Sequence, residues 1–207
     1  MLSQPGTIMT NTQPDLFGNE PQVNAATLRQ IDKMRKNLVE AGIAVDLIVH
    51  MQYSGFLRYL PNHYLFGDQD ARCVLVQAGA GAARMRPTHS SKTPAGAYPT
   101  LHGESRCVWI AEDPLPALRR ISAMRVHRHP TLILCDYGAE LNAATAETLR
   151  IARSIVAWLH EETAHPAVAA AMWRAQIEAA CAGHGVDIQV RVEGLGDGKT
   201  VELQPPR

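Results

Sequence analysis

The chain has 207 residues, 46% of them hydrophobic and 19% charged, which is enough apolar material for a buried core and excludes a wholly disordered polypeptide. Twenty basic and twenty acidic residues cancel, so a globally basic nucleic-acid coat is excluded. No apolar run approaches the roughly 18 residues that cross a bilayer, and the N-terminus lacks the basic and apolar regions of a secretory signal, so no membrane partner is expected. Four cysteines are present and none forms a CxxC pair. Three of them, Cys73, Cys107 and Cys135, stand in apolar runs, which points to buried free thiols and a reducing, cytoplasmic compartment.

Residues 1–24 contain no Lys or Arg, are rich in Pro, Gly, Asn, Gln and Thr, and show neither a two-residue nor a helical period, so they read as a flexible tail. Asn24 then suits a helix N-cap. Leu28, Ile31, Met34 and Leu38 fall on one helical face, and Gly42 is placed to end that helix. Residues 43–60 are open to a strand or a second helix. Arg72–Gln77, Arg106–Ala111 and Thr131–Cys135 are short, β-branched, apolar runs and read as buried strands. Residues 78–104 form a long irregular stretch with four Gly and three Pro, of the kind that carries function. A helix is expected over Leu115–Val126. Leu149, Ala152, Ile155, Val156 and Leu159 give the spacing of another helix. Pro166 suits the first turn of a further helix, outlined by Met172, Ala175, Ala179 and Gly183. Alternation at Ile188, Val190 and Val192, a Gly-rich turn, and alternation at Val201 and Leu203 predict a terminal β-hairpin. The fold expected is α/β or α+β, one domain over residues 25–207, with a central sheet of about four to six strands, flanking helices and that C-terminal hairpin.

The charges are uneven: residues 71–130 are +6 and residues 131–207 are −4. Arg119, Arg120, Arg125 and Arg128 cluster in ten residues, and Arg84, Arg86 and Lys92 lie in the long stretch. On one surface they would neutralise nucleic-acid phosphates. His127 and His129, two residues apart, share a face of an extended segment and, with Asp136 or the upstream Glu112-Asp113, are candidates for a divalent metal or for catalysis. Asp136 follows a strand, where α/β folds often place functional carboxylates. No complete metal signature is present, and no organic cofactor is implied. Gly79-Ala80-Gly81 lacks the third Gly of a dinucleotide-binding turn, and Gly198-Lys199-Thr200 lacks the leading Gly of a phosphate-binding loop.

Gln13-Pro14-Asp15-Leu16-Phe17 is the most specific feature. It resembles the short peptide by which bacterial DNA polymerases and mismatch-repair proteins dock on the ring-shaped sliding clamp. In that comparison Gln13 hydrogen-bonds at a pocket rim, Asp15 matches the small or acidic third position, and Leu16 and Phe17 fill an apolar cleft. Pro14 departs from the usual Leu. The resemblance covers five residues and implies a partner, not a fold. Together these features point to an accessory protein of DNA replication, repair or mobile-element maintenance that docks on the clamp and touches DNA. The alternatives are a metal-dependent nuclease or other phosphate-handling hydrolase built on His127, His129 and Asp136, and a protein-interaction module with no nucleic-acid role.

Overall fold

The computed structural model describes residues 25–60, 63–67, 74–77, 88–89, 98–124, 128–160 and 163–192. The architecture is α/β, with a five-stranded mixed sheet and a second, four-stranded antiparallel sheet. The chain begins with α1 (Ala25–Glu40) and α2 (Val45–Tyr53). Gly42 separates them at φ +88, a backbone region that L side chains rarely adopt, and so fulfils the predicted stop. Of the expected α1 stripe, Met34 and Leu38 are buried, whereas Leu28 is about half exposed.

β1 (Leu57–Leu60), β2 (His63–Phe66), β3 (Val74–Gln77) and β4 (Thr88–His89) then form the antiparallel sheet in sequence order. Tyr64 and Phe66 point into the core from β2, and the Tyr64 hydroxyl donates to the Met34 carbonyl of α1 at 2.8 Å. Burial pushes the Tyr64 phenol up to about 12. Residues 43–60, open to either reading in the sequence, thus divide into a helix and a strand.

The larger sheet is built from β5 (Thr100–Leu101), β6 (Glu104–Ala111), β7 (Pro130–Leu134), β8 (Ser154–Leu159) and β9 (Asp187–Val192), in the order β5-β7-β6-β8-β9. All neighbours are parallel except β5 on β7. The connections are α3 (Pro114–Ala123), α4 (Ala143–Arg150) and α5 (Pro166–Cys181). Alternation along β6 sends Trp109 and Ala111 to one face, where they meet α1, α2, α3, Tyr64 and Phe66. Val108 and Ile110 go to the other face, against α4 and α5 with Trp173 and Ile177. Both faces are therefore covered, as parallel sheets require.

Two expectations are corrected. The spacing of Leu149, Ala152, Ile155, Val156 and Leu159 imitates a helix, but α4 ends at Arg150 and Ser154–Leu159 is the strand β8. A parallel strand buried on both faces is a continuous apolar run, and such a run satisfies helical spacing by default. In α5 the buried stripe is Ala169, Ala170, Trp173, Ile177 and Cys181, and Met172, Ala175 and Ala179 face outward. The first arm of the expected hairpin is β9; residues 193–207, with the second arm, lie outside the described residues. No described helix is long and apolar enough to cross a membrane.

Candidate functional site

The order β7-β6-β8-β9 makes the sheet doubly wound. The connection leaving β6 lies on one face and that leaving β8 on the other. The switch of sides falls between β6 and β8, whose carboxyl ends are the usual ligand position in such sheets. Glu112 stands there, directly after β6. Its Oε1 accepts the Tyr137 N–H at 2.6 Å and its Oε2 accepts the His160 N–H at 3.1 Å. One carboxylate thereby ties the loops that follow β7 and β8.

Asp113 is next to it and caps α3, its Oδ1 accepting the Leu115 N–H at 3.0 Å. Burial pushes the Asp113 carboxyl up, while the Leu115 bond and the charges of His160 and Arg119 pull it back. Asp136 precedes Tyr137 and so belongs to the same sheet edge. Glu112, Asp113, Asp136 and His160 are thus brought to one end of the sheet by three different strands.

His129 lies at the other end. It precedes β7, whereas Asp136 follows it, about 20 Å of extended chain away at roughly 3.3 Å per residue. The expected pairing of His129 with Asp136 on one metal ion is therefore not formed. His127 lies outside the described residues. Among the described residues, no three His, Cys, Asp or Glu side chains are placed to hold a metal.

At the amino ends of the strands, α2, the segment 102–106, the end of α3 and residues 128–129 enclose a cleft of about 730 Å³. Three imidazoles line it, from His50, His102 and His129, with the guanidinium-bearing Arg106 and Arg128 and the carboxylates of Asp46 and Glu104. The rings of His50 and His129 are 5.0 Å apart. The two rims are locked together. Glu104 N–H donates to the His129 carbonyl at 2.8 Å, and Gly103 N–H donates to Thr131 Oγ1 at 3.0 Å. A methyl group on Gly103 would overlap the His129 carbonyl, so only glycine fits there.

The basic candidates divide. Arg128 is exposed on the cleft. Arg119 is half-buried, its stem near Gly42, and Arg120 lies over the Trp158 ring at 4.1 Å. These two pack on α3 neighbours instead of joining Arg128 in one groove. Arg84, Arg86, Lys92 and Arg125 lie outside the described residues, as do Gln13, Asp15, Leu16 and Phe17. Sequence reasoning misses His50, His102 and Arg106 as partners of His129. Nothing in their spacing marks them, because three separate segments meet only through the tertiary fold. Burial pushes the thiols of Cys107 and Cys181 up, consistent with inert core sulfur. Comparison with family models, with curated proteins and with solved structures returned no match.

Proposed function

We propose that this chain is an accessory protein of DNA replication, repair or mobile-element maintenance. It docks on the sliding clamp through Gln13–Phe17 and contacts nucleic acid with the basic segment around Arg128, inside the cell where clamp and DNA reside. The single observation that carries this reading is the pentapeptide, with its Leu16-Phe17 anchor pair, seven residues ahead of α1. Arg106 and Arg128, exposed on one cleft, supply cationic groups suited to phosphate. Capture of the full chain on immobilised clamp tests the docking. Leu16→Ala combined with Phe17→Ala should abolish capture; equal capture of both proteins would discard it. Capture without any DNA binding would instead favour a protein-interaction module.

A second reading takes Asp136, at the carboxyl end of β7, as a functional carboxylate of a metal-dependent nuclease or another phosphate-handling hydrolase. On this reading Asp136 carries the chemistry with Glu112 and Asp113 as neighbours, and His129 has no part in it. Hydrolysis of DNA or a nucleotide that requires Mg²⁺ or Mn²⁺, and is lost in Asp136→Asn, would support it. Absence of metal-dependent turnover would remove it.

A further inference from the structure

We propose that the exposed apolar face of α2 is a two-fold contact between two copies of this chain, which form a reversible dimer. The inference goes beyond the function proposed for the chain and uses neither clamp docking nor Asp136.

Three large apolar side chains stand in solvent on one line of α2. Val45 is 55% exposed, Val49 47% and Tyr53 93%. They are spaced i, i+4 and i+8, so at about 100° per residue they form a stripe about 80° wide. The opposite side of the helix faces the core through Leu47, Ile48 and Met51. Single exposed apolar residues are ordinary on a monomer. Among the described residues no other helix carries three of them, and Tyr53 leaves almost a whole aromatic ring in water.

The face is complementary to itself. A two-fold axis passing beside Val49, perpendicular to α2, lays the helix antiparallel on its own copy. Val45 of one copy then lies opposite Tyr53 of the other, at both ends of the contact, so a small side chain meets a large one and the two surfaces interdigitate. Antiparallel helices also set their dipoles in the favourable sense. The flank of the stripe fits as well. Asp46 lies in the first turn of α2 and His50 in the last. The two-fold places this flank beside the same flank of the other copy, reversed in direction. Measured along the helix at 1.5 Å per residue, Asp46 is then about 3 Å from the level of His50 of the second copy and about 9 Å from that of its Asp46. A carboxylate thus meets an imidazole N–H donor twice, while the two carboxylates stay apart.

Exposed area sets the strength of the contact. A tyrosine in water and two half-exposed valines offer roughly 350 Å² of apolar surface per copy. Apolar atoms make up about 65% of a homodimer interface, so the full contact comes to about 550 Å² per copy and about 1,100 Å² in total. That clears the roughly 1,000 Å² of a specific contact and falls short of the roughly 2,000 Å² and more of obligate dimers. An equilibrium between monomer and dimer in the micromolar range follows.

The contact bears on the amino-end cleft, because Asp46 and His50 also line it. Their flanks share one side of the two-fold, so the two clefts lie on that side of the dimer and adjoin across the paired α2 helices.

Sedimentation velocity of the full chain, from about 1 μM to about 300 μM to bracket that range, tests the proposal. The average mass should climb toward twice that of the chain. Val49→Glu puts two like charges at the axis and should weaken the dimer about a hundredfold or more, and Tyr53→Ser should weaken it about tenfold. Both positions face solvent, so circular dichroism should show an unchanged fold. A chain that stays monomeric throughout, or a dimer that Val49→Glu leaves intact, overturns the proposal. A monomer that dimerises only when Leu16→Ala and Phe17→Ala are introduced also overturns it, and assigns the α2 face to the chain's own tail. Clamp capture does not use α2, so its success or failure is read separately.

Discussion

The two ends of the parallel sheet solve opposite problems. At the carboxyl end, acidic side chains are committed to the backbone: Glu112 accepts two loop N–H groups and Asp113 caps α3. At the amino end, charged side chains line open space, and it is the backbone that holds the rims, through Gly103, Glu104 and His129. The difference teaches that a charged residue at a strand end is not yet a site. What matters is whether its hydrogen-bonding capacity is taken up by the fold or left facing a cavity.

Four variants break or sharpen this contrast. Glu112→Ala has the largest expected effect. It strands two N–H groups and should cost about 3 kcal/mol in denaturant unfolding, at roughly 1.5 kcal/mol per bond to a charged acceptor. Gly103→Ala attacks the other end. Overpacking against the His129 carbonyl should cost about 2 kcal/mol in thermal unfolding. A thermal melt unchanged by Gly103→Ala would contradict the locked rims.

Arg120→Ala removes the cation over Trp158 and should cost about 1 kcal/mol, with a change in tryptophan fluorescence. If Arg120 belongs to the basic groove expected from sequence, the same variant would instead weaken DNA binding at full stability. Asp113→Asn has the smallest effect on stability at neutral pH, about a few tenths of a kcal/mol, because Asn caps as well as Asp. Its signature is in acid. The Asp113 carboxyl is raised in the fold above its ordinary value of 3.8, so the folded state holds the proton more tightly than the unfolded state. That contribution to stability is full below the unfolded value and is lost as pH rises through the folded one. Asp113→Asn should remove this portion of the acid-range pH dependence; a stability profile identical to wild type would refute the raised carboxyl.

The strands β3, β6 and β7 are legible in the sequence because each is a short β-branched run bounded by turn residues. β8 is disguised: Ile155, Val156 and Leu159 carry helical spacing only because every residue from Ile155 to Leu159 is apolar and buried. The β1–β2 pair, Leu57–Phe66, mixes Arg58 and His63 with aromatics and gives no clean alternation. Of the site residues, Asp136 can be placed at a strand end from sequence, since the β7 run stops just before it. The meeting of His50 and His129 cannot, because a contact between residues so far apart in the chain leaves no trace in local spacing. The separation of Arg119 and Arg120 from Arg128 likewise depends on Trp158 and Gly42, which are distant in the chain.

The central strand has a timing consequence. β6 is flanked by β7 on one side and β8 on the other, yet β8 begins only at Ser154, long after β6 ends at Ala111. On the ribosome, where synthesis runs at about 5–20 residues per second, one flank of β6 must wait seconds for its neighbour. Until His160 has left the exit tunnel, Glu112 has only one of its two clients. The tie across the strand ends is therefore a late event in maturation, and a chain arrested before residue 154 would present a bare apolar margin to chaperones.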